Sequence, residues 1–238
     1  MVIVNAAEIV IYQDPDILVV NKPAGLLSLQ DGYNKELPHL VTVLSHEYGR
    51  LLMVHRLDRD TSGVVVIART VEAHRSLNHQ FQERTVAKVY HALVSGVPSW
   101  NEYLATFPLR KDGDREHRTV IDFKHGKKAQ TDFVILEKYS RFALMEARPH
   151  TGYTHQIRAH LAYIGFPILA DPLYGNGEPF LEKTTTDLSK TSSYLIKRLA
   201  LHACSITFDH PTQRVRVTFS TPYPVDFLSM IQAFKHQE

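Results

Sequence analysis

The segment His55–Gly63, HRLDRDTSG, places five charged or imidazole side chains within six residues, directly before the apolar run VVVIA. Asp58 lies between Leu57 and Arg59, and Asp60 follows two positions later. A carboxylate held among cations can act as a nucleophile or as a general base. The ordinary alternative is a solvated turn, in which aspartate, threonine and serine hydrogen-bond to nearby backbone. Taken alone, the segment favours the turn.

Two familiar hydrolytic mechanisms fit this segment poorly. The paired carboxylates of a glycosidase need a separation of about 5 Å or more, and the spacing of Asp58 and Asp60 does not secure it. Ser62 precedes a glycine but lacks the G-x-S-x-G frame of a serine hydrolase. The single cysteine, Cys204, excludes an internal disulfide and a cysteine-rich zinc site. The H-E-x-x-H motif of zinc hydrolases is absent as well.

A second group of functional side chains lies in HTGYTHQIRAHL, residues 150–161. Apolar residues at helical spacing predict a helix with Thr154 as its N-cap. Arg158 then lies in or just past the first turn, where its charge opposes the helix dipole at a cost of up to about 1 kcal/mol. A carboxylate bound at that helix end would offset the cost, because arginine and free N–H groups both favour an anion. The alternative is a surface arginine packed over Tyr163.

The hydrophobic pattern predicts the elements that must position these segments. Strands are expected within residues 9–27, 63–69, 86–96 and 104–148, and a hairpin is expected from residues 199–208 and 214–219. Helices are expected at residues 38–49, at 70–85 with Thr70 as cap, and after Pro224, whereas the polar segment 176–193 predicts a long surface loop. We therefore expect one α+β domain over residues 1–238, with a mixed, mainly antiparallel β-sheet and flanking helices.

Composition narrows the possible partners and location. Of the 238 residues, 44% are hydrophobic and 22% are charged, which is typical of a soluble globular protein. The net charge is only +2, so a nucleic-acid partner must meet a local concentration of positive charge. The N-terminus lacks the features of a signal peptide, and no apolar stretch approaches the roughly 20 residues that span a bilayer. We expect a cytoplasmic, monomeric protein that does not bind membranes.

These segments together resemble the RluA family of RNA pseudouridine synthases. HRLDRDTSGVVVIA is similar to the family's catalytic motif, VNKPAGLL to its N-terminal signature, and AKVYHALVSG has the family's tyrosine at Tyr90. GKKAQTDFVIL, TGYTHQIRAHLAYIGFPILADPLYG and LALHACSITFDHP match further blocks in the expected order. The chain departs from the family at Tyr153, where arginine is usual, and at Ala170, where glycine is common. Only about a dozen residues precede the first signature strand, so we expect no N-terminal S4 domain.

The resemblance implies that uridine in RNA is isomerised to pseudouridine. Asp58 would attack the anomeric carbon of the ribose or remove a proton from its C2′, and the sequence leaves both roles open. Arg158 would keep Asp58 ionised, Tyr90 would lie against the uracil, and Arg56 would fill the stack that the flipped uridine leaves. The remaining residues implied in substrate binding are His55, Thr61, Gly63, His155, Gln156 and Leu201, and those implied in RNA-backbone contacts are Lys124, Lys127 and Lys128.

Several of these interpretations have open alternatives. Leu201 is as well explained by a core position, and the three lysines belong to a stretch that also contains acids, which predicts a solvated hairpin. The chain as a whole is alternatively a catalytically silent RNA-binding or ribosome-assembly factor of the same fold, or an N-glycosylase. The intact set of Asp58, Tyr90 and Arg158 favours the synthase. Whether the partner is ribosomal or transfer RNA is left open by the sequence.

Overall fold

A computed structural model describes residues 5–178, 180–181 and 194–235. The chain divides into two compact units. The first unit comprises residues 1–89 and 202–222, and the second comprises residues 90–201 and 223–238. Among the described residues, no helix has the length and apolar character needed to cross a membrane.

The described elements contain more strands than helices. The helices are α1 (Ala6–Ile9), α2 (Leu40–Tyr48), α3 (Val71–Gln82), α4 (Gln156–Tyr163) and α5 (Val225–Lys235). The strands are β1 (Val10–Gln13), β2 (Ile17–Lys22), β3 (Leu52–Met53), β4 (Ser62–Ala68), β5 (Ala87–Ser95), β6 (Glu102–Ala105), β7 (Leu109–Arg110), β8 (Val120–Ile121), β9 (Thr131–Lys138), β10 (Phe142–Pro149), β11 (Phe180–Leu181), β12 (Tyr194–Ile196), β13 (Leu201–Asp209) and β14 (Arg216–Ser220).

The first unit is built around β4. This strand pairs antiparallel with β2 and with the short β3, and it pairs parallel with β13, which in turn pairs antiparallel with β14. All seven residues of β4 are buried, as its apolar sequence predicts for a strand covered on both faces. The segment that contains Asp58 ends where β4 begins, so its C-terminal end is anchored to the buried centre of the unit.

A glycine sets the close approach of β4 to β13. Gly63 has a φ of 120°, which side chains rarely adopt. A Cβ atom at this position would lie 2.2 Å from the carbonyl oxygen of Ala203. Gly63 therefore has a packing role that follows from its backbone, whatever it contributes to substrate binding.

A buried histidine reinforces the same pair of strands. His202 is opposite Ser62 in the register, and their Nδ1 and Oγ atoms are 2.9 Å apart. Thr221 Oγ1 lies 3.1 Å from His202 Nε2 and donates its one proton to the carbonyl of Ala203. His202 Nε2 must then donate to Thr221, so Nδ1 accepts from Ser62. Each polar atom of this buried network is satisfied.

The second unit contains an antiparallel sheet in the order β5, β10, β9, β6, where β5 enters from the first unit. Residues of these strands, of α4 and of α5 form one hydrophobic core. Within that core the rings of Phe142 and Phe234 stack with centroids 4.5 Å apart. Two short antiparallel pairs, β7 with β8 and β11 with β12, complete the described part of this unit.

The α+β class with a mixed, mainly antiparallel sheet is confirmed, as are the helices near residues 38–49, 70–85 and after Pro224. Thr70 Oγ1 caps α3 by accepting from the Ala73 N–H at 3.1 Å, as predicted. The single domain over residues 1–238 remains a prediction.

Two predictions about elements are wrong. The N-cap of α4 is His155 rather than Thr154, because His155 adopts a left-handed conformation with φ of 54° that ends the preceding turn. Phe180–Leu181 pairs with β12, so the predicted loop over residues 176–193 contains a strand; residues 179 and 182–193 lie outside the described part of the chain.

We expect Gly63→Ala to lower the free energy of unfolding by about 3 kcal/mol or more, because the new methyl group overlaps the backbone of β13 and the φ is unfavourable. Gly32→Ala is the control, since nothing lies within 4 Å of a Cβ there. Urea denaturation of both variants is the measurement. Equal stability of the two variants would contradict the close approach.

Candidate active site

The backbone on both sides of Asp58 is held by the loop that follows β2. Ser28 Oγ donates to the carbonyl of Leu57 at 2.8 Å and accepts from the N–H of Leu57 at 3.1 Å. On the other side, the carbonyl of Arg59 accepts from the N–H of Gly25 at 2.8 Å. Asp58 therefore lies between two fixed peptide groups. A carboxylate placed in this way is preorganised for attack or proton transfer, which need a defined position.

A buried lysine completes this attachment. Lys22 is the last residue of β2, is 0% exposed, and donates from Nζ to three backbone carbonyls: those of Pro23 at 3.0 Å, Leu26 at 2.8 Å and Arg59 at 3.0 Å. These bonds replace the hydrogen bonds to water that an ammonium group loses on burial. The roles of Lys22 and Ser28 were not predicted from the sequence. The available signal was a lysine at the end of a strand that begins with four apolar residues.

Thr61 presents a hydroxyl with no partner. Its N–H donates to the carbonyl of Asp58 at 3.2 Å, which closes the turn. Its side chain is buried, yet within the described residues Oγ1 makes no hydrogen bond. An unpaired buried hydroxyl costs about 1–3 kcal/mol. The substrate contact of Thr61 remains a prediction, and it would require Oγ1 to become accessible.

His55 attaches the start of the segment to β4. Its Nε2 accepts from the Val66 N–H at 3.0 Å, and its ring stacks on Phe81 with centroids 4.8 Å apart. Burial, with a smaller effect of the Lys88 charge, lowers the pKa of His55 to about 3. The ring is therefore neutral and carries its proton on Nδ1. These contacts favour a positioning role for His55 over the predicted substrate contact.

In the second unit, Arg158 is the third residue of α4 and is buried. Its Nε and Nη2 each donate to an oxygen of Asp171 at 2.8 Å, an arrangement in which arginine and carboxylate match in shape and charge. The carboxylate predicted to offset the helix dipole is thus Asp171, which the sequence did not single out. The predicted pairing of Arg158 with Asp58, a residue of the first unit, stays a prediction.

The Asp171 carboxylate also organises the chain that follows it. It is fully buried, and its Oδ1 accepts from the N–H groups of Leu173 at 2.9 Å and Tyr174 at 3.1 Å. The Arg158 guanidinium lies 5.0 Å from the centre of the Tyr174 ring. Ala170, just before Asp171, has a left-handed φ of 54°. That backbone conformation explains why glycine suits this position.

Two further predicted substrate residues lie at the start of α4. His155 Nδ1 is 3.2 Å from the hydroxyl of Tyr174. Gln156 Nε2 donates to the Gln130 carbonyl and the Thr131 hydroxyl, each at 2.9 Å, so both of its protons are used. The structure therefore favours a positioning role for Gln156, whereas His155 remains a predicted substrate contact.

Tyr153 is the position at which the family resemblance predicts an arginine. Its ring packs, partly buried, against the small apolar cluster of Leu109, Ala129 and Ala159. Its N–H donates to Gln156 Oε1 at 3.2 Å. The tyrosine thus has a packing role here, and it brings no positive charge to this part of the surface.

Tyr90 and Leu201 lie in or beside the core of the second unit. Tyr90 is partly buried on β5, opposite Ala147 of β10. Leu201 is 4% exposed and belongs to the hydrophobic core. This location supports the core interpretation of Leu201. Contacts of Tyr90 and Leu201 with uracil remain predictions.

The three predicted phosphate-binding lysines follow the hairpin of β7 and β8. Lys124, Lys127 and Lys128 are all exposed, and the backbone of Lys127 pairs with Leu109 through bonds of 2.8 and 2.9 Å. Asp122 accepts from Arg110 and from two backbone N–H groups, which lowers its pKa to about 2. Because its charge is already paired, Asp122 leaves the lysines free to attract an anion.

Metal binding has no evident place in the described part of the chain. There, no group of three or more histidine, cysteine, aspartate or glutamate side chains is arranged to hold a metal ion.

Comparison with known proteins identifies the family. A sequence profile described as RNA pseudouridylate synthase matches residues 16–163. Ribosomal large subunit pseudouridine synthase D of Neisseria meningitidis serogroup B is 36% identical over 231 residues, covering 95% of this chain and 61% of the relative. Dual-specificity RNA pseudouridine synthase RluA of Escherichia coli K12 is 36% identical over 215 residues, covering 90% of this chain and 92% of the relative. The solved structure titled Human RNA Pseudouridylate Synthase Domain Containing 1 has a TM-score of 0.73 at 27% identity, covering 94% of this chain and 87% of that chain.

The chain belongs to the RluA family of RNA pseudouridine synthases, which are isomerases. This confirms the resemblance drawn from its sequence motifs. The chain spans 61% of the length of the Neisseria relative and nearly the whole of the Escherichia relative.

The titration of His55 predicts a pH dependence of stability. Its pKa of about 3 in the folded chain lies below the usual value of 6.5, so the unfolded state binds more protons between these limits. The contribution of His55 is full above pH 6.5 and falls by up to about 1.4 kcal/mol per pH unit toward pH 3.

His55→Gln retains an acceptor for Val66 without titrating, so we expect its stability to fall less steeply than that of the wild type between pH 6.5 and 4. His79→Gln, at an exposed position of α3, should match the wild-type slope. Denaturant unfolding at several pH values measures all three. Superimposable wild-type and His55→Gln curves would show that His55 does not titrate in this way.

Proposed function

We propose that this chain isomerises specific uridines in structured RNA to pseudouridine, with Asp58 as the catalytic carboxylate. The observation that supports this most directly is the attachment of Leu57 and Arg59, the two residues that flank Asp58, to the loop of Lys22 and Ser28. A solvated turn needs no such attachment. A carboxylate that must meet a reacting atom does.

The reaction conserves the atoms of the nucleoside. The bond between the uracil N1 and the ribose C1′ breaks, the base rotates, and a bond forms between C5 and C1′, while C5 loses a proton and N1 gains one. Asp58 either forms a bond to C1′ that the returning uracil displaces, or removes and returns the C2′ proton. Both routes require an ionised carboxylate and a site from which water is excluded, since water would trap the sugar.

Other residues have supporting roles in this proposal. Arg158 favours the ionised form of Asp58, and Tyr90 lies against the uracil and assists the proton transfer at C5. The unpaired hydroxyl of Thr61 donates to the substrate. Arg56, which is exposed beside Leu57, occupies the stack that the flipped nucleotide vacates.

The names of the relatives support a proposal for the substrate class. Their names specify the ribosomal large subunit and, for RluA, dual specificity for RNA. We propose ribosomal or transfer RNA as the partner, without a metal or cofactor. A cytoplasmic location and a monomeric state remain predictions.

Asp58→Asn is the central test of this mechanism. The change preserves size but removes the charge and the basic oxygen, so we expect single-turnover pseudouridine formation to fall at least about a thousandfold, or roughly 4 kcal/mol of barrier. The substrate is RNA from cells that lack the gene, mapped by pseudouridine-specific labelling. RNA affinity should stay within about tenfold.

Asp60→Asn is the matched control in the same loop and should retain turnover within about tenfold. Thermal melting shows whether each variant is folded. A folded Asp58→Asn variant with near-normal turnover would refute the catalytic role. Absence of pseudouridine formation by the wild type on every RNA tested would favour a silent RNA-binding factor.

Phosphate binding by the exposed lysines predicts a salt dependence. For Lys127→Ala combined with Lys128→Ala, we expect the slope of log affinity against log salt to decrease by roughly 0.7–0.9 for each phosphate that a lysine no longer neutralises. Lys138→Ala, an exposed lysine of β9, is the control. Binding of a large-subunit ribosomal RNA transcript between low and high salt gives the slopes, and an unchanged slope would argue against phosphate binding by these lysines.

A further inference from the structure

A small pocket lies beside the loop of Asp58. Its volume is about 150 Å³, and it is lined by residues 27–32, Arg56, Leu57 and Arg59. Leu57 and Arg59 flank Asp58 in the sequence, so the pocket adjoins the proposed catalytic position. The volume is below the roughly 300 Å³ of the smallest drug-sized sites, which leaves room for a single base, ribose or phosphate group.

Two guanidinium groups stand at this pocket. Arg56 and Arg59 are both exposed. Arg59 Nε donates to the Gly25 carbonyl at 3.2 Å, which fixes the side chain with only one of its five N–H groups. Exposed guanidinium groups bind phosphates and stack on bases, so the rim of the pocket suits RNA.

The pocket is also lined by a negatively charged residue, Asp31. Asp31 Oδ1 accepts from the N–H groups of Tyr33 and Asn34, both at 2.8 Å. These bonds, with a smaller effect of Arg59, lower the pKa of Asp31, so it is ionised at neutral pH. Its Oδ2 accepts no hydrogen bond from the described part of the chain. Because a carboxylate repels phosphate and accepts from amino groups, this side of the pocket suits the edge of a base.

An exposed aromatic ring directly follows the pocket wall. Tyr33 comes after Gly32, is fully exposed, and has its backbone held by Asp31. Single exposed aromatic residues are common on protein surfaces. This one follows a run of residues that lines the pocket together with Arg56 and Arg59, and RNA-binding proteins stack bases on such rings.

We propose that this pocket and Tyr33 bind the nucleotide next to the modified uridine, with its base stacked on Tyr33 and its amino group bound by Asp31. This inference rests on the proposed role of Asp58, which places the uridine beside Leu57 and Arg59. The chain then selects its target partly through the neighbouring base. Adenine, cytosine and guanine offer an amino group, so they are preferred over uracil at that position.

Binding of short RNAs tests the site without requiring turnover. The probes are fluorescein-labelled nine-nucleotide RNAs with one central uridine, and versions with an abasic ribose on its 5′ or 3′ side. We expect Tyr33→Ala to weaken binding of the intact probe about tenfold, and to have no effect on the probe that is abasic at the neighbour. Tyr33→Phe, which keeps the ring, should bind as the wild type does. Tyr163→Ala, at another exposed tyrosine, is the control.

A second arm tests the acceptor. Asp31→Asn should reduce the preference for adenine, cytosine or guanine over uracil at the neighbour by about tenfold or more, without abolishing binding. The proposal is overturned if the wild type does not distinguish intact from abasic probes. It is also overturned if Tyr33→Ala weakens all probes equally. Because the assay measures binding, it can be repeated with the Asp58→Asn variant. If Tyr33→Ala still weakens binding in that background, the site is supported independently of the catalytic role of Asp58. Failure of that catalytic role would appear in turnover and not in binding.

Discussion

One buried ammonium group holds together the loops on which the proposed chemistry depends. Lys22 enters the interior at the end of β2 and donates to carbonyls of its own loop and of Arg59. A buried charge without partners would cost several kcal/mol, so this position of the lysine exists only while both loops are in place. The geometry around Asp58 is therefore coupled to the folding of the first unit. Each of the two segments NKPAGLL and HRLDRD is held in its conformation by hydrogen bonds to the other.

The second unit uses buried polar groups in a comparable way. Arg158 donates two hydrogen bonds to Asp171, and Asp171 also accepts two backbone N–H groups. His160 lies between the Thr131 hydroxyl and the Phe107 carbonyl. A buried polar group without a hydrogen-bond partner costs free energy, whereas a network in which every group is paired is rigid. These bonds fix the start of α4 in position. Arg158 needs such a fixed position if it is to orient a carboxylate or a substrate.

The groups suited to bind RNA are separate from these networks. Lys124, Lys127 and Lys128 in the second unit, and Arg56 and Tyr33 in the first, are exposed. A net charge of +2 means that affinity must come from such local groups rather than from the whole surface. The buried hydrogen-bonded groups and the exposed groups that we propose to bind RNA are thus different side chains, so we expect substitutions of the exposed groups to preserve the fold.

The sequence alone determined the fold class and the family, because apolar periodicity and ordered motifs are local properties, and it predicted Asp58 as the reactive carboxylate. It also indicated that Arg158 needs an anion. It did not identify Asp171 as that anion, nor Lys22 and Ser28 as the supports of Asp58. It placed the N-cap of α4 one residue early, because the left-handed backbone of His155 is not evident from its side chain. These features were decided by the tertiary structure. Each depends either on groups that are distant in the chain or on a backbone angle that packing imposes. Neither kind of feature produces a periodic pattern in the sequence.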